Sequence, residues 1–201
     1  MSNDQNDWAK LPGRLVVLSG PSGSGKSTLA QRLIALPGLR LKVSTSATTR
    51  SPRPGEEPGR DYLFVTKEQF ERMRDSLLES AQVHGYDYGT PEGPVREAMA
   101  AGSCVLLVID VQGGLQVRRR VPNALLIFLK PPDLLTLEAR LRARGTDDEP
   151  TIERRLTGAR RELELAASYD VQVINDNLEQ AVGDLAGILT RNGCGARNEN
   201  D

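Results

Sequence analysis

The chain has 201 residues, 38% of them hydrophobic, and carries a net charge of −1 with a pI of about 6.0. That is apolar material for one sizeable core with room for a small inserted lobe, and the near balance of charge excludes a global field aimed at nucleic acid or an anionic membrane. No apolar run approaches the length of a membrane span, and the opening MSNDQNDWAK lacks the charged-then-apolar order of a secretory signal.

In chain order, residues 1–12 read as a polar tail. Arg14 to Ser19 (RLVVLS) is a compact apolar run of the kind that forms a buried parallel strand. Lys26 to Leu36 comes next with helical spacing at Leu29, Leu33 and Leu36, and stops at Pro37-Gly38. From Ser46 the texture changes. DYLFV and the stretch Leu77 to Tyr88 read as short strands, with a short helix starting near Thr66, where Thr66 and Gln69 have capping-box spacing. Helix-like segments run over Pro91 to Ala101, Asp133 to Arg144, Thr151 to Ala167 and Leu178 to Leu189. VLLVID (Val105 to Asp110) and ALLIFL (Ala124 to Leu129) are two further strands. Strands alternating with helices imply right-handed crossovers and a parallel sheet covered on both faces. The expected fold is therefore an α/β core over residues 13–45 and 91–190, a mixed, β-rich lobe over 46–90 and a second polar tail over 191–201. Cys104 and Cys194 give neither a disulfide framework nor a zinc pattern. Cys104 reads as a buried small hydrophobe and Cys194 as part of the tail, which fits a reduced, cytoplasmic setting.

The strongest chemical signal is Gly20-Pro21-Ser22-Gly23-Ser24-Gly25-Lys26-Ser27, which fits G-x-x-x-x-G-K-[ST] with a strand before it and a helix after it. Glycines let the backbone curl so that several N–H groups point at a β-phosphate, and the helix N-terminus adds partial positive charge. Lys26 is placed for the β- and γ-oxygens, and Ser27 offers a hydroxyl to magnesium. The loop implies a nucleoside triphosphate and Mg2+; it does not separate a kinase from a motor, a switch or a hydrolase.

The stretch Ser46 to Tyr62 (SATTRSPRPGEEPGRDY) carries Arg50, Arg53 and Arg60 beside Glu56, Glu57 and Asp61, with three prolines. It is too polar for a core element, and taken alone reads either as a solvated loop or as a phosphate site. Six motifs then occur in order: SGPSGSGKSTL, SATTRSPRPGEEPGRDYLFV, FERM…LLESAQVHGYDYGT, VLLVIDVQG, RLRARGTDDEPTIERRL and SYDVQVIND. Over nearly all of residues 13 to 190 the chain resembles guanylate kinase, the family that phosphorylates GMP with ATP. The resemblance implies that Ser46, Arg50, Arg53 and Tyr62, with Tyr88, hold the GMP phosphate. A dianion facing two guanidinium forks and several hydroxyls fits that task independently.

The resemblance also implies that Glu79 and Thr90 read guanine, whose N1 and N2 donors suit an acceptor-only carboxylate. Asp110 matches a second carboxylate near the base; its place at a strand end equally suits a magnesium shell. Arg140, Arg144 and Arg155 match lid arginines around a mobile segment near 144–150. Thr28 extends the phosphate loop, and Asn175 matches a residue near the ATP adenine. Lys26, Arg50, Arg144 and Arg155 are the expected catalytic group. Two departures stand out: Val108 where relatives carry an acid, and Tyr86 where they carry asparagine. The implied function is ATP-dependent phosphorylation of GMP, and of dGMP in addition, with Mg2+ and with no nucleic-acid or membrane partner. A non-catalytic binding module and a kinase for another phosphorylated small molecule are the alternatives. Whether the chain is a monomer or a homodimer stays open, His84 reads as structural, and Trp8 has no assigned role.

Overall fold

The computed structural model describes residues 7–83, 85–143, 145 and 148–196. Arg144, His84 and residues 146 and 147 of the expected lid segment therefore lie outside the described residues.

The central sheet has five strands: β1 (Arg14–Ser19), β2 (Leu41–Val43), β7 (Cys104–Val108), β8 (Leu125–Lys130) and β9 (Val171–Ile174). Their order is β2-β7-β1-β8-β9, all parallel. Side chains alternate across β1. Leu15 and Val17 enter one apolar layer with Leu107, Phe128 and Met99, while Val16 and Leu18 enter the other with Leu29, Leu33 and Leu185. Burial on both faces explains why the strand reads as a continuous apolar run. Helices α1 (Lys26–Ile34) and α7 (Leu178–Leu189) supply the second layer, and α3 (Glu92–Ala100) and α4 (Val111–Arg120) the first.

A second sheet, ordered β4-β3-β6-β5, is built from β3 (Ala47–Thr48), β4 (Leu63–Phe64), β5 (Leu77–Val83) and β6 (Tyr86–Pro91). Helix α2 (Lys67–Met73) packs Phe70 beneath it beside Ala47 and Leu77, and begins with the capping box of Thr66 and Gln69. Gln116 of α4 joins this lobe to the core: it donates to Ser80 O (2.7 Å) and accepts from Ser80 N (3.1 Å). Helices α5 (Leu134–Ala143) and α6 (Glu149–Glu164) form an arm of their own around Leu137, Leu141 and Ala159.

Three sequence expectations are corrected. The first concerns the amino-terminal tail. Trp8, only 2% exposed, sits in a short 3-10 turn against Met99 and Val95, with the Arg96 guanidinium carbon 4.0 Å from its ring centroid. One aromatic side chain buries enough apolar area to order a short polar segment around it. The second concerns the carboxy-terminal tail. Residues Thr190–Cys194 continue α7 as a helical turn, and Gly195 bridges to Leu39. Arg40 clamps this segment by donating to Gly193 O (3.0 Å), Gly195 O (2.8 Å) and Gly102 O (2.8 Å).

The third concerns the cysteines. Cys104 and Cys194 are joined as a disulfide, Cα atoms 5.5 Å apart and 90 residues apart in sequence, with both side chains buried. Cys104 is a buried small residue as expected, but its partner is the supposed tail cysteine, which the Arg40 clamp brings to it. Closing so long a loop stabilises the folded state by about 4–5 kcal/mol in the chain-entropy account. Reduction with dithiothreitol is expected to lower the unfolding temperature by on the order of 10 °C. Cys194→Ser should show the same unfolding temperature with and without reductant, and a wild type indifferent to reductant would contradict the bond's contribution.

Candidate active site

Strand β1 ends at Ser19 and delivers the glycine-rich loop to the carboxyl edge of the sheet, where the open end of an α/β sheet gathers its ligands. Gly25 caps α1 in the left-handed region (φ 98°), and a Cβ there would collide with Asn175 Nδ2. Asn175 braces the loop from behind. Its Nδ2 donates to Ser24 O (2.8 Å), its own N–H to Lys130 O (2.8 Å), and its carbonyl accepts from Arg140 Nη2 (2.9 Å). Lys26 Nζ donates to Gly20 O (2.6 Å) and Pro21 O (3.0 Å), so the ammonium is held within the loop that it serves.

At the other end, Arg50 is buried and fixed from three sides. Nε donates to Tyr88 OH (3.2 Å), Nη1 to Ser51 O (2.6 Å), and Nη2 to both Glu56 oxygens (2.9 Å each). Its plane lies over the Tyr62 ring, 5.5 Å from the centroid. Burial works against its charge, but the Glu56 and Tyr88 hydrogen bonds outweigh it and hold the pKa above the ordinary value. Glu56 also accepts from Arg53 N (2.8 Å), and the Arg53 side chain lines the cleft. The sequence reading assigned Glu56 nothing. Its signal was position: three residues after Arg53 and six after Arg50, in a loop whose prolines prevent a helix.

Glu79 of β5, 4% exposed, accepts from Thr90 Oγ1 (2.6 Å), and Thr90 Oγ1 lies 3.3 Å from Ser46 Oγ. Gly113 leaves room for the carboxylate: a Cβ there would strike Glu79 Oε2. Burial pushes the Glu79 carboxyl up to about 7, against the Thr90 hydrogen bond and with help from the charge of Asp110. Asp110 is the N-cap of α4, accepting from Gly113 N (3.0 Å). Burial raises its pKa too, while its backbone hydrogen bonds and nearby Lys26 oppose the rise.

These two ends share one cleft of about 370 Å³. Ser22, Lys26, Ser27 and Thr28 line it at the loop end, and Ser46, Arg53, Tyr62, Glu79 and Tyr88 at the lobe end, with Asp110 on the same wall. Arg155 reaches in from α6, its Nη1 3.3 Å from Ser22 Oγ. Not every expected residue converges. Pro21, Ser24, Arg50 and Thr90 stand behind the lining, and Arg140 and Asn175 form the brace beneath the loop. Val108 lines the cleft, whereas Tyr86 is 44% exposed and does not. Glu162 of α6 lines the cleft and was not singled out by its sequence. A wider hollow of about 520 Å³ between β9 and α7, lined by Ile174, Gly183, Gly187 and Arg191, gathers no such set of groups.

Glu79 makes stability depend on pH. A carboxyl whose folded pKa is raised above its unfolded value contributes stability at acid pH, and that contribution is lost as pH rises through the folded value. Between pH 4.5 and about 7 the loss reaches about 3 kcal/mol. Glu79→Gln should therefore narrow the gap in stability between acid and neutral pH, measured by urea unfolding; an unchanged gap would place the titration elsewhere.

Comparison with known proteins gives a consistent set of relatives. A family model described as guanylate kinase matches residues 12–192. The guanylate kinase of Desulfitobacterium hafniense is 48% identical over 185 residues, covering 90% of this chain and 92% of the relative. That of Gloeobacter violaceus is 54% identical over 172 residues, covering 84% and 83%. Among solved structures, the guanylate kinase of Anaplasma phagocytophilum superposes with a TM-score of 0.76 at 32% identity, covering 90% of this chain and 87% of that one.

Proposed function

This chain belongs to the guanylate kinase family and is a phosphotransferase that moves the γ-phosphoryl group of ATP to GMP, giving ADP and GDP; from that premise we propose how its cleft divides the work. The supporting observation is that one cleft joins Lys26 and Ser27 at one end to Arg53, Tyr88 and Glu79 at the other. In-line transfer needs donor and acceptor phosphates in one such space.

The core with the Gly20–Thr28 loop takes ATP, and the lobe over 46–90 takes GMP. Loop N–H groups and Lys26 hold the β- and γ-phosphates. Arg53, Arg50, Tyr62, Tyr88 and Ser46 hold the GMP phosphate, with Glu56 fixing the Arg50 fork and the Arg53 backbone. The acceptor oxygen is already a nucleophile, so no strong base is required; catalysis is positioning and charge neutralisation. Arg155, with Arg140 and Arg144 from the arm and its lid, adds positive charge and excludes water when both substrates are present. Mg2+ supplies neutralisation of the phosphate oxygens. The Ser27 hydroxyl and the Asp110 carboxylate are hard oxygen donors lining the same cleft, which suits an ion that keeps several waters.

Guanine meets Glu79 in its ionised form, backed by Thr90, with Asp110 close by. Adenine would turn its N1 lone pair toward that carboxylate and leave it unpaired. Selection against AMP is therefore expected at roughly 10⁴-fold or more in kcat/KM. We place the chain in the cytoplasm, where the reducing poise opposes the Cys104–Cys194 bond, so the bond's stabilisation belongs to the oxidised protein.

Two measurements test this division. ADP release with GMP, dGMP, AMP, CMP and UMP as acceptors should be high for GMP and present for dGMP; equal turnover of AMP and GMP would remove the guanine assignment of Glu79. Lys26→Met should abolish turnover and leave GMP binding by calorimetry intact. Arg53→Ala should do the reverse, raising the GMP KM by about 10- to 100-fold with ATP-analogue binding kept, since it removes a charge-assisted pair worth about 1.5–3 kcal/mol. Loss of ATP-analogue binding in Arg53→Ala would contradict the assignment of the ends.

A further inference from the structure

We propose that Glu162 is a further positioning residue for phosphoryl transfer, carried on α6 at the loop end of the cleft and acting through Lys26, whose ammonium it draws toward the space that the donor phosphates enter. The inference deepens the proposed function and rests on it.

The geometry comes from α6. Glu162 lies seven residues, two helical turns, beyond Arg155, so the two side chains leave one face, between the buried positions Ile152 and Ala159 and Ala166 beyond. Both line the cleft. Arg155 reaches Ser22 at the start of the loop. Glu162 lies within electrostatic reach of Lys26 in the first turn of α1. One helix thus sets a cation against the outer end of the phosphate loop and an anion against its lysine. The other charged and titratable groups facing Glu162 are Asp110, at the N-cap of α4, and Tyr169, in the segment after α6.

A carboxylate in a cleft that receives polyanions repels them unless a cation answers it. Lys26 is the cation within its reach. In the loop, Lys26 Nζ is drawn back onto the Gly20 and Pro21 carbonyls. An anion across the cleft opposes that retreat and keeps the ammonium poised between the loop and the incoming phosphates. Burial, the largest influence, pushes the Glu162 carboxyl up to about 7, with Lys26 pulling the other way and Asp110 reinforcing the rise. The pull on Lys26 is therefore weak in acid and develops as pH rises through neutrality.

The test compares wild type, Glu162→Gln and Glu162→Asp in steady-state kinetics from about pH 6 to about pH 9 at saturating GMP, with GMP calorimetry and thermal unfolding alongside. Wild type is expected to show a rise in kcat through neutral pH; Glu162→Gln is expected to lose that rise and roughly tenfold in kcat, and to keep the wild-type affinity for GMP. Glu162→Asp, which keeps the charge on a shorter stem, should retain that rise with an intermediate kcat. Wild-type kcat and pH profile in Glu162→Gln would overturn the proposal. So would a lowered unfolding temperature with the pH-dependent rise still in place, the outcome for a merely structural side chain. If Glu162→Gln does not fold, Glu162→Asp decides: wild-type kcat there overturns the proposal, and a reduced kcat with normal GMP affinity supports it. Failure of wild type to phosphorylate GMP would instead overturn the proposed function itself.

Discussion

A flexible polyanion can be gripped only by donors that are already fixed, and in this chain the fixing is done by β1. It lies at the centre of the sheet, paired with β7 from Arg14 to Leu18 and with β8 from Val16 to Ser19, and buried on both faces. A strand so constrained leaves the loop after it few conformations. The loop is tied down in turn by its own neighbours: Gly25 opens α1, Ser24 O is held by Asn175, and Asn175 is held by β8 and by Arg140. The entropy of ordering the phosphate loop is thus met during folding rather than at binding, which is the meaning of preorganisation here.

The cleft is not uniformly positive. Along its length Lys26, Arg155 and Arg53 are interleaved with Asp110, Glu162 and Glu79. Burial raises the pKa of all three acids, and carries Glu79 and Glu162 to about 7, where each responds to the charge placed beside it. Glu79 and Asp110 also oppose one another through the N-terminal turn of α4, where Gly113 lets one carboxylate approach while its N–H satisfies the other. A side chain at that position would separate the lobe from the core at the point where the two meet.

Legibility in the sequence tracked the range of the interaction. β1, the phosphate loop and α7 could be read because apolar runs, glycine spacing and helical periodicity are local. The lobe residues came through resemblance; no local rule pairs Glu79 with Thr90. Helix α4 escaped because Gly113-Gly114 weaken its helical signature, although both glycines are demanded by neighbours, Glu79 and the Tyr169 hydroxyl. β2 and β9 are short edge strands of three and four residues. The cysteine pair depends on a contact 90 residues away in sequence, and Trp8 sits among polar neighbours that mask its burial. Glu56 and Glu162 look like surface charge until the elements that carry them are assembled.

Trp8 has a use beyond packing. It is the sole tryptophan of the chain, and it lies beneath Arg96 near the start of β1, where Gly13 N meets Met99 O, at the opposite end of that strand from the phosphate loop. The cleft instead holds tyrosines, Tyr62 and Tyr88, with rings 6.0 Å apart. Indole emission therefore comes from a single residue at the base of the core, away from the cleft, and follows the integrity of that end of the fold in the unlabelled protein.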